Sequence, residues 1–262
     1  MNPAFLDLPL LLMSTVVVSL RVFVSFSMLP MFISSSVPTT VRAGLAMAVA
    51  LPVVAAQMDA PPLPDLQGWT LILLVAREAG IGLVIGLGFG AFCAGLQTAG
   101  DIIDHQTGLT FTQNVDATFG NNVSITAQFF DRVLFGALMS AGFVLIVVDA
   151  LYLSYEIWPV GMPLPTFERL VPLSLVEQSS RLFAFALLMA GPVLLVLFTI
   201  DAGLGMLNRA APQLGIFQIT LSLKAVVGLI VLMFALPLMI EKTLIALTYV
   251  AQTIRALILA GG

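Results

Sequence analysis

The chain has 262 residues, 60% of them hydrophobic and 9% charged, with a mean hydropathy of +1.09 and a net charge of -4. A soluble domain carries roughly 25% charged residues, so this is the composition of an all-α integral membrane protein rather than of a soluble enzyme. The 10 Lys and Arg form no basic patch, which argues against nucleic-acid binding, and the lone Cys93 excludes an intrachain disulfide.

Proline and glycine divide the chain into about six long helices. The opening "MNPAFLDLPLLLMSTVVVSL" has no basic residue before Arg21, so it reads as a retained helix over Pro9–Leu29 and not as a cleavable signal. The connector "PMFISSSVP" leads to a second helix, Thr39–Gln57, and the proline-rich "MDAPPLPDLQ" ends it. A third, long helix covers Gly68–Thr107, with Gly108 as its C′ stop. A polar stretch follows, then a fourth helix over Ser124–Tyr155. The break "WPVGMPLPTFERLVP" precedes a fifth helix, Leu173–Leu207, and "NRAAPQLGIF" separates that from a sixth, Gln218–Leu259. Ala79–Gly100 and Leu182–Ile200 carry no charge, and each is about long enough to cross ~30 Å of hydrocarbon. Lys and Arg are scattered singly, so loop charge sets no firm topology, although the lack of Lys or Arg before Arg21 favours an external N-terminus.

Several features invite a chemical reading. Gly82, Gly86 and Gly90 share one helix face at a spacing of four, with "GLGFG" among them. No strand precedes them and no Lys-Ser/Thr follows, so they form a seam where another helix backbone approaches, not a phosphate loop. Arg77, Glu78, Asp201, Lys224 and Glu241 lie in or beside apolar runs, where a charge at a helix centre costs roughly 2.5–3.5 kcal/mol. Such groups face protein or water, and burial against partner subunits is the preferred reading over a water path or a proton relay. Arg77 and its neighbour Glu78 point different ways and do not simply neutralise each other, whereas Glu177 and Arg181 are spaced to pair.

"DIIDHQTGLTFTQNVDATFGNN" is the strangest part of so apolar a chain. Asp101 and Asp104 fall in the last turns of the third helix, where carboxylates oppose the macrodipole by about 0.3–1 kcal/mol each. Asp101 and His105 share a face, but two ligands make a poor metal site, and no nucleophile elbow supports His105 as a hydrolase residue. From Thr110 to Asn122 there is no apolar face to bury. By physics alone that leaves two readings: a functional loop wetted inside protein, or an ordinary solvent loop.

Three segments resemble the SctT/FliR family of type III secretion and flagellar export. They are "NRAAPQLGIFQITLSLK" (Asn208–Lys224), "AGDIIDHQTGL" (Ala99–Leu109), and the early spacing of Arg21, Pro30, Pro38 and Arg42. Asp104 and Gly215 lean toward the injectisome branch, with the flagellar branch as the alternative. The resemblance implies a non-enzymatic subunit of the export gate in the bacterial inner membrane, within the secretion-system base, needing no cofactor or metal. It implies an SctR-like part, residues 1–172, and an SctS-like hairpin, residues 173–262. Its partners would be SctR-, SctS-, SctU- and SctV-like subunits, with unfolded effector and needle proteins in transit.

On the same resemblance Thr110, Thr112, Gln113, Asn114, Asp116, Thr118, Gly120, Asn121 and Asn122 belong to a pore plug, positioned by Asp101, Asp104, Gln106 and Gly108. Asn208, Arg209, Pro212, Gln213 and Lys224 would hold the hairpin turn or line an entry portal. The rivals from other classes are an ion-coupled small-solute transporter using Asp201, Glu241 and Lys224, and an intramembrane hydrolase requiring His105.

Overall fold

The computed structural model describes residues 8–29, 32, 38–57, 68–108, 125–161, 172–210 and 216–261. Among them the chain is helical, with no strand: α1 Leu8–Ser27, α2 Thr39–Gln57, α3 Gly68–Thr107, α4 Ile125–Ser140, α5 Phe143–Ile157, α6 Pro172–Ala210 and α7 Ile216–Gly261. Four of these contain stretches long and apolar enough to span a membrane: Thr39–Ala56, Gly68–Thr107, Ala184–Ala210 and Ile219–Ala256. At 40, 39 and 46 residues, α3, α6 and α7 run about 60–70 Å, roughly twice the hydrocarbon thickness. Each therefore has room for charges beyond a hydrocarbon layer. Pro52, Pro192 and Pro237 lie inside helices without ending them, as membrane helices permit.

One expected helix divides. In place of a continuous Ser124–Tyr155, α4 stops at Ser140 and α5 begins at Phe143. The Ala141 N–H still donates to the Ala137 carbonyl at 3.0 Å, and the Ser140 hydroxyl donates to that same oxygen at 2.8 Å. Gly142 then turns left-handed at φ 76°, a conformation that needs glycine, and α5 starts afresh. The sequence hides this break because Gly142 lies alone in an apolar run with no proline nearby.

The described helices form two compact units. The first comprises residues 1–93, 142–178 and 247–262. Within it α1 packs along α2, and α2 touches α5. The glycines of α3 bring its backbone against α1: a Cβ on Gly82 would lie 2.4 Å from the Arg21 carbonyl oxygen. One on Gly86 would meet Ser25 at 2.8 Å, and one on Gly90 the Met28 carbonyl at 2.4 Å. Ser25 uses the closeness to donate to the Gly82 carbonyl at 2.7 Å. Edge-on contact of Phe89 with Phe143, centroids 5.8 Å apart, adds α5 to the core.

At the centre of this unit Arg21 and Glu78, both fully buried, form an ion pair at 2.8 Å. Arg21 Nη1 donates to the Ser154 carbonyl (2.9 Å) and hydroxyl (3.1 Å), and Nη2 to the Trp158 carbonyl (3.0 Å). Its guanidinium carbon stands 4.0 Å from the Tyr155 ring centroid, while the Tyr155 hydroxyl donates to the Val18 carbonyl at 2.6 Å. One side chain thus joins α1 to α3 and to the C-terminal end of α5, where it is a second donor to the Ser154 carbonyl beside the Trp158 N–H. Arg77 reaches Glu78 only at 3.8 Å and donates to the Pro159 carbonyl at 3.0 Å. Arg77 and Glu78 are buried within this chain's own unit, and so is Lys224 within the other. The preference for partner subunits is thereby corrected for these three. Asp201 is half-buried and Glu241 exposed; the side chains of Glu177 and Arg181 lie outside the described residues.

The second unit comprises residues 94–141 and 179–246. It holds the end of α3, all of α4, and most of α6 and α7. The polar constellation described next belongs to it.

Candidate functional site

Gly108 closes α3. It adopts φ 79° and its N–H donates to the Asp104 carbonyl at 3.1 Å, which Thr107 Oγ1 also meets at 3.1 Å. Only a residue at ease in the left-handed region ends a helix this way. The stop fixes where the chain leaves α3 before residues 109–124, which lie outside the described residues.

The Asp104 carboxylate is fully buried and turned toward the start of α4. Its Oδ2 accepts the Thr126 N–H at 2.9 Å, and Oδ1 pairs with the Thr126 hydroxyl. Thr126 is the second residue of α4, and its N–H is one of the four that a helix start leaves unsatisfied. Asp104 is therefore an N-cap supplied from another helix. At the end of α3 it opposes one macrodipole, yet at the start of α4 it complements another and satisfies two donors. The two flanks of 109–124 are consequently clamped to each other through one side chain.

Beside this clamp three helices meet at one oxygen. Asp201 Oδ2, on α6, accepts Gln106 Nε2 of α3 at 2.9 Å and Lys224 Nζ of α7 at 3.0 Å. The Lys224 side chain is 10% exposed and that of Asp201 36%. One turn beyond Lys224, Gly228 faces Thr107: a Cβ there would lie 2.8 Å from Thr107 Cγ2 and 3.5 Å from Leu197 Cδ2. This arrangement holds charge and backbone ends in place. It brings no nucleophile to a base.

The structure thus joins Asp104, Gln106, Gly108 and Lys224 in one unit. Asp101 is exposed on α3, as is His105 four residues on, and Asn208 and Arg209 are exposed at the end of α6. Among the described residues no group of three or more His, Cys, Asp or Glu is placed to hold a metal ion. Pro212 and Gln213, and Thr110, Thr112, Gln113, Asn114, Asp116, Thr118, Gly120, Asn121 and Asn122, all fall outside the described residues. Sequence reasoning missed Thr126, and it grouped Asp201 with Lys224, which it meets, but not with Gln106. A threonine just inside a helix start marked Thr126, and two in-helix charges flanking one hairpin turn marked Asp201 and Lys224.

Residues 12–248 match the family described as Bacterial export proteins, family 1. The chain is 27% identical to the flagellar biosynthetic protein FliR of Bacillus subtilis, covering 92% of this chain and 93% of that protein. Against FliR of Escherichia coli K12 the identity is 31% over 84% and 82%. Against the Yop proteins translocation protein T of Yersinia pestis it is 28% over 76% of each. The flagellar and Yop-translocation relatives match at similar identity, so the lean toward the injectisome drawn from Asp104 and Gly215 gains nothing over the flagellar branch. With nearly its whole length matched, this helical membrane protein belongs to the family of bacterial export proteins that includes FliR and the Yop translocation protein T.

Proposed function

We propose that the chain is a structural, non-enzymatic subunit of a type III export gate in the bacterial inner membrane, helping to form and close a channel for unfolded proteins. The observation that carries this reading is the Asp104 clamp. A fully buried carboxylate is spent on tying the end of α3 to the start of α4, and what it brackets is a polar stretch without an apolar face. In this reading Thr110–Asn122 lies in the pore as a plug, and a small polar barrier yields to many substrate sequences where an apolar core would resist. Residues 1–172 act as an SctR-like part and 173–262 as an SctS-like hairpin, assembled with SctR-, SctS-, SctU- and SctV-like subunits. Asn208, Arg209, Pro212, Gln213 and Lys224 hold the hairpin turn or line the portal. No phosphate-loop motif occurs in the sequence, so the driving energy comes from elsewhere in the export system.

A photo-crosslinking residue at Asn114 tests this directly. With an export substrate stalled in transit, Asn114 is expected to crosslink to the substrate, while the same probe at exposed Leu145 of α5 does not. Crosslinking from neither position, in assembled complexes carrying a stalled substrate, would remove the plug from the pore.

A further inference from the structure

We infer that Asp201 is a positioning residue that couples the α6–α7 hairpin to the end of α3, and through it to the Asp104 clamp. Its geometry stands alone; its consequence for closure rests on the gate reading above.

Both donors converge on the same Asp201 oxygen, Gln106 Nε2 at 2.9 Å and Lys224 Nζ at 3.0 Å. A carboxylate only accepts, so no shift of a proton within Asp201 can hold one donor and release the other. Lys224 and Gly228 are four apart and share a face of α7. The first reaches Asp201, and the second lies against Thr107 with no room for a methyl group. Gln106 and Thr107 in turn lie in the last turn of α3, between Asp104 and the Gly108 that ends it. A shift of α6 against α7 must therefore break a charge-assisted bond, drag Gln106, or push on Thr107. Close-packed contacts of this kind change in steps and do not yield smoothly.

The test exchanges the two groups across the contact. Gln106→Glu sets two carboxylates against each other, and Asp201→Asn removes the charge facing Lys224. The double exchange Gln106→Glu/Asp201→Asn restores complementarity, because the asparagine amide donates to the new glutamate while its oxygen faces Lys224. Each variant is made in the full chain and co-expressed with the other export components. Ion leak across the cell membrane and melting of the purified complex are both read.

Each single exchange is expected to raise the leak about tenfold, the population change that goes with weakening one charge-assisted hydrogen bond. Each is also expected to lower the melting temperature, and the double exchange should bring both quantities back toward the parent. A double exchange no better than the worse single, or singles indistinguishable from the parent, would overturn the coupling. Deletion of Gln113–Gly120 is run beside them. If that deletion is tight in assembled complexes, the gate reading fails and the coupling is judged by melting alone.

Discussion

Replacing Arg21 by methionine is expected to destabilise the first unit by about 3–5 kcal/mol, because it takes from the fully buried Glu78 its nearer counter-charge and leaves only Arg77 at 3.8 Å. The loss has a second component. Arg21 also donates to the Ser154 and Trp158 carbonyls at the end of α5, and a hydrogen bond from a charged donor contributes about 1.5–3 kcal/mol, although the Ser154 carbonyl keeps the Trp158 N–H. Little full-length chain should accumulate in the membrane, and what does should melt well below the parent. Glu78→Gln should be milder, since the amide oxygen still accepts from Arg21. The decisive variant is the double Arg21→Met/Glu78→Met. If the ion pair dominates, removing both charges recovers most of the loss. The remaining deficit then reports the bonds to the end of α5. A double variant as damaged as Arg21→Met would mean that the α5 carbonyls, and not Glu78, are what Arg21 is there to satisfy.

The second large effect is expected at Asp104. Asp104→Ala strips the cap from α4 and leaves both the Thr126 N–H and its hydroxyl without that acceptor. An N-cap is worth about 0.5–2 kcal/mol, and the charge facing the α4 start adds about 0.3–1 kcal/mol. Asp104→Asn keeps one acceptor oxygen and loses the charge, so it should fall between alanine and the parent. Hydrogen exchange at the start of α4 should rise in the order parent, Asn, Ala, while exchange in α5, in the other unit, stays unchanged. Equal protection in all three would show that Asp104 holds nothing at the start of α4.

These two residues also mark how far the sequence could be read. The bounds of α2 and α3 were legible because strong stops, the prolines and Gly108, are written at their ends. The division at Gly142 was not, since a lone glycine in an apolar run is compatible with continuation until the left-handed φ is seen. Asp104 could be marked as unusual because it sits at the wrong end of α3. Its purpose, however, lies on α4, across residues whose path local patterns do not give. Arg21 and Glu78 are 57 residues apart, and no helical period relates them. Asp201 and Lys224 were each visible as a charge within an apolar helix, but their meeting depends on the register of the hairpin, and Gln106 joins them from a third helix. Periodicity thus reads one helix at a time, whereas the candidate site is made where three meet.

The most direct measurement is ion leak across the membrane of cells co-expressing this chain with the proposed SctR- and SctS-like partners, comparing the parent with a deletion of Gln113–Gly120. Assembly of the deleted complex is checked in the same cells by co-purification. If the stretch clamped by Asp104 seals the channel, the deletion assembles and leaks. A deletion that assembles and stays as tight as the parent would contradict the plug and place closure in the partner subunits.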